Sequence, residues 1–578
     1  MRHNRISRVW IAVIVLGVVS IALQNSHVWG SKVDLAIHLL DAAILLLFVS
    51  GFLVNLLRYP RKTDFLKRNP IEALLVIVLL GTFFWLKYYH IAVQPNRLHY
   101  LPVKIIVAVC AINILRSVSR MERMNSFLKN LSLHPAQTIM LSFLGVIMTG
   151  TVFLMLPVSV MGEATMGFIN SFFTATSAVC VTGLIVVDTA TRFSPLGKLI
   201  IMFLIQAGGL GIMLFAFFTA FLAGKKLSLE QKLMASYILD KEDTRNLSKG
   251  VKFIVASTFC IELAGAVLLF AAFIRPVGGV LRTAFYSVFH AVSAFCNAGF
   301  ALFSDNLVQF KDFAFLNLVI AGLIISGGIS FAVLLNGGGN IVQRFRKKFI
   351  DRNQRVVKLN LNTKVVLLGT LILLAAGTLL IYKFQHKALL HEATAAQYLQ
   401  AFFQSVTLRT AGFNTMDISK LNLSTYALMM LLMFIGGASG STAGGIKINT
   451  AGVIWGYVRS VFAGREQVLL FKNSVSRDQV NQAFLVVFLA LITVFSGALV
   501  LSVTESFKFV RILFEVFSAF GTVGLSTGIT SNLTGPGKLV VTLLMFIGRL
   551  GPLTIVAALS QRFARDLVKY PEGKISIG

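Results

Sequence analysis

The amino-acid sequence predicts an all-α polytopic membrane protein that contains four similar helical repeats. Of its 578 residues, 56% are hydrophobic and only 13% are charged, whereas about 25% charged residues are usual in soluble domains. Many apolar segments reach the roughly 20 residues that a membrane-spanning helix needs. A short pattern that contains a glycine also recurs four times, at intervals of 112 to 116 residues, which indicates an internal repeat of whole structural units.

The charge distribution fits a membrane protein better than a nucleic-acid-binding protein. The formal net charge is +30, but the Lys and Arg residues lie in short loops between apolar segments, where they mark the cytoplasmic side. The four cysteines lie in apolar or repeat segments, without metal-ligand spacing or any sign of a disulfide framework: Cys110, Cys180, Cys260 and Cys296. We therefore expect the lipid bilayer as partner, and no nucleic acid.

Residues 1–130 are predicted to form an accessory unit of four transmembrane helices. The predicted spans are 9–24, 34–57, 71–93 and 101–116. The loops at 58–68 and 116–129 are strongly basic, so both loops and the N-terminus are predicted to be cytoplasmic. A packing or regulatory role is favoured, and a voltage-sensor-like bundle stays open because four basic residues fall near one helical face: Lys104, Arg116, Arg120 and Arg123.

Four repeats follow, each with a long first helix, a short helix, a glycine and a long second helix. Their predicted boundaries are 131–245, 246–358, 359–476 and 477–578. The first helices are predicted at 138–160, 251–274, 363–383 and 480–504, the short helices at 168–180, 285–296, 397–408 and 511–520, and the second helices at 195–224, 313–336, 424–460 and 537–561. A basic segment follows each second helix, which places these segments and the C-terminus in the cytoplasm.

The short helices are the distinctive part of each repeat. A helix of about ten to fourteen residues cannot cross about 30 Å of hydrocarbon at 1.5 Å per residue, so each must enter the membrane and return as a pore loop. The irregular backbone beyond it is tolerated only inside protein or along a water-filled cavity. Around one pseudo-fourfold axis, four such loops would form a ring of carbonyl oxygens that replaces the hydration shell of a cation. Lipid-surface helices with glycine C-caps are the alternative.

Several segments resemble the Trk/Ktr/HKT superfamily of potassium transporters. Its four pore loops are resembled by SAVCVTGL at 177–184, SAFCNAGF at 293–300, TLRTAGFNT at 407–415 and SAFGTVGLST at 518–527. Its third and fourth inner helices are resembled by FIGGASGSTAGGIK at 434–447 and MFIGRLGPLT at 545–554. The resemblance covers about 135–565. It implies potassium uptake by a single-chain pore of four M1–P–M2 pore-loop repeats, and a homodimer that works with cytoplasmic nucleotide-binding regulatory subunits of the RCK/KTN type.

The resemblance also implies a selectivity filter that binds K⁺. The implied filter residues are Val181, Thr182, Gly183, Asn297, Ala298, Gly299, Thr410, Ala411, Gly412, Thr522, Val523 and Gly524. In this superfamily, glycine in all four loops goes with a preference for potassium, and serine in the first loop goes with sodium transport. The four loops read VTG, NAG, TAG and TVG, so we expect fewer equivalent carbonyl rings and weaker ion discrimination than in a potassium channel.

The second helix of repeat three is interrupted between 436 and 447 by five glycines: Gly436, Gly437, Gly440, Gly444 and Gly445. Their spacing would suit tight helix packing, but each glycine costs a helix about 1 kcal/mol relative to alanine. The resemblance implies an intramembrane gating loop beneath the filter. Arg549 lies inside an apolar segment, where a charge should face the pore or a partner, and we expect it to act at this gate. Lys447 would share that role or lie at the membrane interface.

Two further charged residues, Arg409 and Glu262, lie in the repeats. Arg409 precedes the third filter segment and is expected to hold that loop rather than contact the ion. Glu262 is expected to bond a neighbouring helix, with a proton or sodium relay left open. A secondary transporter of another cation or a small solute, coupled to Na⁺ or H⁺, is the alternative function because broken helices also occur there. We expect no enzyme, since the sequence has no paired carboxylates, metal-ligand set or activated nucleophile. The predicted location is the bacterial inner membrane, which is the plasma membrane.

Overall fold

The computed structural model describes residues 135–161, 166–211, 247–349, 358–385 and 394–559. The chain divides into two compact units, and the second unit comprises 134–155, 159–162 and 166–578. Within the described residues, four helices are long and apolar enough to cross a membrane, or five if one bent pair counts as a single span. The predicted N-terminal region lies outside the described residues, as do its predicted spans and basic residues.

In each repeat a long first helix and a short helix are followed by described parts of the second helix. In repeat one, a further helix of four residues lies between the short helix and the second helix. Repeat one contains α1 Pro135–Met155, α2 Phe168–Val179, α3 Thr189–Arg192 and α4 Pro195–Gly209. Repeat two contains α5 Leu247–Val277, α6 Val280–Phe295, α7 Ala314–Gly328 and α8 Phe331–Phe349. Repeat three contains α9 Leu361–Gln385, α10 Thr394–Thr407, α11 Leu423–Phe434 and α12 Ile448–Phe462. Repeat four contains α13 Arg477–Thr504, α14 Phe509–Gly521, α15 Gly535–Leu550 and α16 Pro552–Leu559.

The hairpin between α12 and α13 is the one sheet found in the described residues. Its strands β1 Val468–Leu470 and β2 Asn473–Val475 are antiparallel, and Val468 pairs with Val475. The two turn residues, Phe471 and Lys472, have φ angles of +49° and +66°. A two-residue turn of this hand matches the right-handed twist of the strands that it joins.

The first and second helices of each repeat pack through one glycine and one leucine. A Cβ atom built on the first-helix glycine would meet the side chain of the second-helix leucine, so the missing side chain lets the two helices approach closely. The pairs are Gly150 with Leu204, Gly265 with Leu323, Gly377 with Leu432, and Gly497 with Leu544. The sequence gives no direct sign of these pairs, because glycine and leucine are both common in apolar helices.

The second helices begin with local caps in repeats one and four. The side-chain oxygen of Ser194 accepts a hydrogen bond from the backbone N–H of Gly197, and that of Thr534 accepts one from Gly537. A proline follows each cap in the first turn, where it needs no hydrogen-bond partner for its nitrogen. Glu505, at the end of α13, accepts hydrogen bonds from both the backbone N–H and the hydroxyl of Thr534. This contact ties the two long helices of repeat four together.

Within the described residues the second helices are interrupted in repeats two, three and four, whereas the sequence predicted an interruption only in repeat three. α4 ends just before Gly211, which has a φ of +80°. The axis turns by 107° between α7 and the first part of α8. α15 ends before Gly551, which has a φ of +86°, and Pro552 then begins α16. Glycine reaches left-handed angles freely and proline cannot donate a backbone hydrogen bond. These residues therefore allow a helix to break within an otherwise apolar segment.

Candidate functional site

The loops after the four short helices meet in a closed ring. A Cβ atom built on the repeated glycine of each loop would lie against the carbonyl oxygen of the residue that precedes the repeated glycine of the next repeat. The contacts run in order around the ring: Gly183 with Ala298, Gly299 with Ala411, Gly412 with Val523, and Gly524 with Thr182. We call the four glycines the glycine ring. No side chain fits at these positions without moving the neighbouring loop.

Each loop has left-handed backbone angles at alternate residues. The glycines of the ring have φ between +68° and +90°, and the residues two positions earlier have φ between +50° and +74°. Those earlier residues are Val181, Asn297, Thr410 and Thr522. In an extended strand successive carbonyl groups point to opposite sides, and a left-handed residue at every second position turns them toward the same side. The loops can therefore present rows of carbonyl oxygens to one axis.

The left-handed angles are costly for residues other than glycine. Val181, Thr410 and Thr522 are β-branched, and positive φ at such residues is a genuine outlier. A residue held in such a region costs about 1–3 kcal/mol, and such strain concentrates at functional sites. The surrounding hydrogen bonds must therefore impose this conformation on the loops.

A serine six residues before the glycine holds the loop in three repeats. Ser177 donates from its hydroxyl to the carbonyl oxygen of Leu184 at 2.8 Å and accepts from the backbone N–H of Gly183 at 3.1 Å. Ser293 donates to the carbonyl oxygen of Phe300 at 2.8 Å, and Ser518 accepts from the N–H of Gly524 at 3.1 Å. Sequence reasoning missed these residues, although the same spacing in three repeats could have indicated them.

The third loop departs from this pattern. Val406 occupies the serine position and offers no hydroxyl. The N–H of Ala411 bonds to the carbonyl oxygen of Thr407, four residues earlier, whereas the matching bonds of the other loops span five residues. Downstream, the hydroxyl of Ser419 donates to Asp417 at 2.6 Å, and this bond, together with Lys420, lowers the pKa of Asp417 from its ordinary value. The third loop is thus held by different contacts from the other three.

Arg409 is buried beside the third loop, with 6% of its surface exposed. Its Nε and Nη2 atoms have no hydrogen-bond partner in the described part of the chain. Arg409 was expected to hold the third loop, but these two groups do not contribute to that role. The side chain lines a cavity of about 10 Å³ together with Ile324, Leu374 and Val406. A cavity of this volume has room for about one water molecule.

The twelve predicted filter residues all lie in the four loops that meet at the ring. Eleven of them are buried, and Gly524 is half-buried. When the nitrogen of the Asn297 amide is assigned from its hydrogen-bonding surroundings, it donates to the carbonyl oxygens of Ala294 and Ile324 at 3.1 Å and fastens the second loop to α6 and α7. The short helices α2, α6, α10 and α14 end just before the loops, so the negative ends of their dipoles lie close to the ring, where a cation is favoured.

The 435–447 loop connects α11 to α12 and packs against two of the loops that form the glycine ring. A Cβ atom built on Gly444 would meet the side chain of Thr522, and one built on Gly436 would lie 3.2 Å from that of Thr410. Gly440 and Gly445 have φ of +74° and +64°. The glycines of this segment therefore serve close packing and left-handed turns, in place of a continuous helix.

The 435–447 loop also bonds to the break in the second helix of repeat two. The N–H of Ala438 donates to the carbonyl oxygen of Gly328 at 3.0 Å, and the N–H of Thr442 donates to that of Gly327 at 3.3 Å. The Thr442 hydroxyl donates to the carbonyl oxygen of Phe295, the last residue of α6, at 3.3 Å. The carbonyl groups that the broken helix leaves free thus become partners of the loop.

Arg549 joins the 435–447 loop to repeat one. Its guanidinium donates to the carbonyl oxygens of Thr442 in the loop and of Gly208 and Gly209 at the end of α4. Lys447 donates to the carbonyl oxygen of Ala443 within the loop. Both predicted gate cations therefore contact this segment, and Arg549 alone of the two links it to another repeat.

Glu262 bonds a neighbouring helix, as expected. Its carboxylate lies on α5, is 5% exposed, and accepts a hydrogen bond of 3.2 Å from Gln206 on α4. The thiol of Cys296, just after α6, lies 3.9 Å from the same carboxylate. In the described ranges, no group of three or more His, Cys, Asp or Glu side chains could hold a metal ion.

Four repeats of membrane-spanning helices around a ring of backbone loops define a polytopic, all-α membrane protein. The chain belongs to the TrkH family of cation transport proteins, since the family profile matches residues 104–566. The match begins inside the region that the sequence predicts as an N-terminal accessory unit. The match ends five residues beyond the second helix of repeat four, which the sequence predicts at 537–561.

Several relatives are similar along nearly their whole length. The Ktr system potassium uptake protein B of Bacillus subtilis (strain 168) is 38% identical over 447 residues, which are 77% of this chain and 97% of that protein. The protein of the same name from Vibrio alginolyticus is 38% identical, covering 76% of this chain and 94% of its own. The potassium/sodium uptake protein NtpJ of Enterococcus hirae is 38% identical, with 77% and 98% covered.

A solved structure has the same fold. The crystal structure of the potassium transporter TrkH from Vibrio parahaemolyticus aligns with a TM-score of 0.58 and 17% sequence identity. The alignment covers 91% of this chain and 97% of that chain.

Proposed function

We propose that this protein takes up potassium across the plasma membrane, through the carbonyl-lined path at the glycine ring. The observation that carries the proposal is the closed order of contacts, in which each glycine packs on the loop of the next repeat. Rings of backbone carbonyl groups replace the hydration shell of a cation. Relatives at 38% identity are named potassium uptake or potassium/sodium uptake proteins, which supports potassium as the substrate and sodium as its main competitor.

The 435–447 loop is the proposed gate. It packs beneath Thr410 and Thr522 of the filter loops, and Arg549 fastens it to the end of α4. In this position it would obstruct the path on one side of the ring. Conduction then requires the loop to move, which breaks the hydrogen bonds of Arg549 and exposes the carbonyl groups of the broken second helices.

The proposed setting follows from the charge pattern of the sequence. The basic segments after the second helices would lie in the cytoplasm together with both termini, in the inner membrane of a bacterium. The proposed assembly is a homodimer with cytoplasmic nucleotide-binding regulatory subunits of the RCK/KTN type, and the protein itself would carry no enzymatic activity and bind no nucleotide. Basic segments at 224–250 and 343–358 are the proposed contacts for those subunits.

Rubidium uptake into proteoliposomes that contain the purified protein tests the proposed function. Potassium, sodium and lithium serve as competitors, and Gly412→Ser is measured beside the natural sequence. Competition by potassium that is much stronger than competition by sodium, with a weakened preference in the variant, supports the four-glycine filter. If the natural protein takes up no cation even after residues 436–445 are removed, the proposal fails.

A coupled secondary transporter is the second candidate, and the breaks in the second helices favour it. Discontinuous helices near the middle of the membrane form the substrate sites of many secondary transporters. In that case rubidium uptake would require a sodium or proton gradient. A passive pathway instead gives uptake that follows the rubidium gradient alone.

A further inference from the structure

The segment that follows the second filter loop crosses to repeat three. The N–H of Leu307 donates to the carbonyl oxygen of Asn414 at 3.2 Å. In return, the N–H of Asn414 donates to the side-chain oxygen of Asn306 at 3.4 Å. Asn414 is two residues beyond the ring glycine Gly412. The two loops are thus tied together beside the ring.

The amide nitrogen of Asn306 points at the ring itself. Its Nδ2 atom lies 3.5 Å from the carbonyl oxygen of Gly299 and 3.5 Å from that of Gly412. One amide nitrogen carries two hydrogens, so a single side chain can bridge the ring carbonyl groups of repeats two and three. Both contacts are longer than the usual 2.7–3.2 Å, so they form a weak bridge whose effect comes mainly from its position.

The backbone of Asn306 is adapted to this placement. Its φ angle is +60°, a left-handed conformation that asparagine tolerates better than most residues other than glycine. The adjoining segment is anchored on both sides. Ser304 donates from its hydroxyl to Asp188 of repeat one at 2.6 Å, and the N–H of Leu302 donates to His290 of α6 at 3.3 Å. The side chain of Asn306 is therefore held at the ring by its neighbours.

The side-chain amide of Asn306 is found at this position in repeat two alone. The positions seven residues after the ring glycine in the other repeats are Ala190, Ser419 and Ser531. None of these residues carries an amide. The ring carbonyl groups of repeats two and three therefore have a bridging donor that the matching sequence position does not supply elsewhere.

We propose that Asn306 is a positioning residue that sets the preference of the filter for potassium over sodium. The bridging nitrogen keeps the carbonyl oxygens of Gly299 and Gly412 apart, so the ring resists closing around the smaller sodium ion. Its hydrogen bonds also occupy lone pairs of both oxygens and so change the field strength of these two ligands. The field strength and the number of the carbonyl ligands together determine ion preference. This inference rests on the proposed potassium uptake through the glycine ring.

Two substitutions test it in the full-length protein, in proteoliposomes that take up rubidium. Asn306→Gly keeps the left-handed backbone and removes the side chain. Asn306→Asp keeps the shape and the acceptor for the N–H of Asn414, but it cannot donate to the ring carbonyl groups. Asn414→Ala leaves its backbone bonds intact and is the local control. Asn422→Asp adds the same charge at an exposed position and is the charge control.

The quantity measured is the ratio of the inhibition constants of sodium and potassium, beside the maximal rate of uptake. We expect both Asn306 variants to lower this ratio by about threefold to tenfold, the range that loss of one weak hydrogen bond allows, while both controls keep it. A loss of folded protein would lower the maximal rate alone. Asn422→Asp shows whether an added charge at an exposed position changes the ratio by itself.

The inference is overturned if the ratio is unchanged in both Asn306 variants, or if it changes only in Asn306→Asp. The second result would trace the effect to the introduced charge instead of the lost donor. The natural protein provides the separate check on the proposed function. If it takes up no rubidium even after residues 436–445 are removed, or if it shows no preference for potassium, then the proposed function itself has failed.

Discussion

The guanidinium of Arg549 donates to the carbonyl oxygen of Thr442, which lies 107 residues earlier in the chain. The same side chain donates to Gly208 of repeat one. One arginine therefore connects the second helix of repeat four, the 435–447 loop of repeat three and the end of α4 in repeat one. Movement of the loop away from the filter requires these bonds to break.

Replacing Arg549 by methionine is expected to raise rubidium uptake. A hydrogen bond to a charged group contributes about 1.5–3 kcal/mol, and 1.4 kcal/mol corresponds to a factor of ten in an equilibrium. The loop should therefore leave its closed position about ten times more often. Initial rates in proteoliposomes with equal amounts of protein measure this. Arg459→Met, at an exposed position on α12, is the control, and equal rates in the two variants would contradict the proposed gate.

Ser177→Ala is expected to weaken the preference for potassium. The substitution removes the partner of two backbone groups of the first filter loop, at Gly183 and Leu184, and an unsatisfied buried group costs about 1–3 kcal/mol. Competition between sodium and potassium for rubidium uptake measures the change. Ser171→Ala is the matched control on the same helix, because the buried Ser171 hydroxyl has no partner among the described residues. The same loss in both variants would show that the hydrogen bonds of Ser177 are not responsible.

Gly548→Ala is expected to lower the melting temperature of the purified protein in detergent by several degrees. A Cβ atom at this position would overlap the carbonyl oxygen of Phe520 in α14, and overpacking costs about 1–3 kcal/mol. Gly145 on α1 has no atom near its missing Cβ. Gly145→Ala should therefore leave the melting temperature unchanged or raise it, since alanine favours a helix over glycine by about 1 kcal/mol. A similar fall in both would refute the packing role.

Glu262→Gln separates passive uptake from proton-coupled uptake. Glutamine has almost the same shape as glutamate and can still accept the hydrogen bond from Gln206. For a passive pathway we expect rubidium uptake to stay within about twofold of the natural rate, because the neutral amide keeps that bond without a buried charge. Uptake is measured with and without an imposed proton gradient, beside Glu466→Gln at an exposed position of the chain. Loss of gradient-driven uptake in Glu262→Gln alone would favour the coupled transporter.

Local sequence patterns were sufficient to predict the helices that build the site. The short helix predicted at 168–180 is observed at Phe168–Val179, and the one at 511–520 is observed at Phe509–Gly521. The four glycines could be aligned because a left-handed backbone at a fixed point after a helix selects glycine each time. These features depend on residues that are close in sequence.

Contacts between repeats could not be predicted in the same way. The break after Leu550 lies inside a largely apolar segment, and hydropathy does not distinguish a broken helix from a straight one. The carbonyl oxygens that receive Arg549 belong to the backbone, so no residue type indicates them. Asn306 resembles any polar loop residue until the fold brings its amide against Gly412, 106 residues later.

The closed ring is made by one polypeptide, so the four loops that form it can change independently during evolution. In a pore assembled from four identical subunits, each inherited change appears at all four corners at once. Here one substitution changes a single loop, and the contacts of the ring transmit its structural effect first to the adjacent loop. The missing serine of repeat three and the extra amide of repeat two are differences of this kind. Evolution can therefore change the four loops of the glycine ring one at a time.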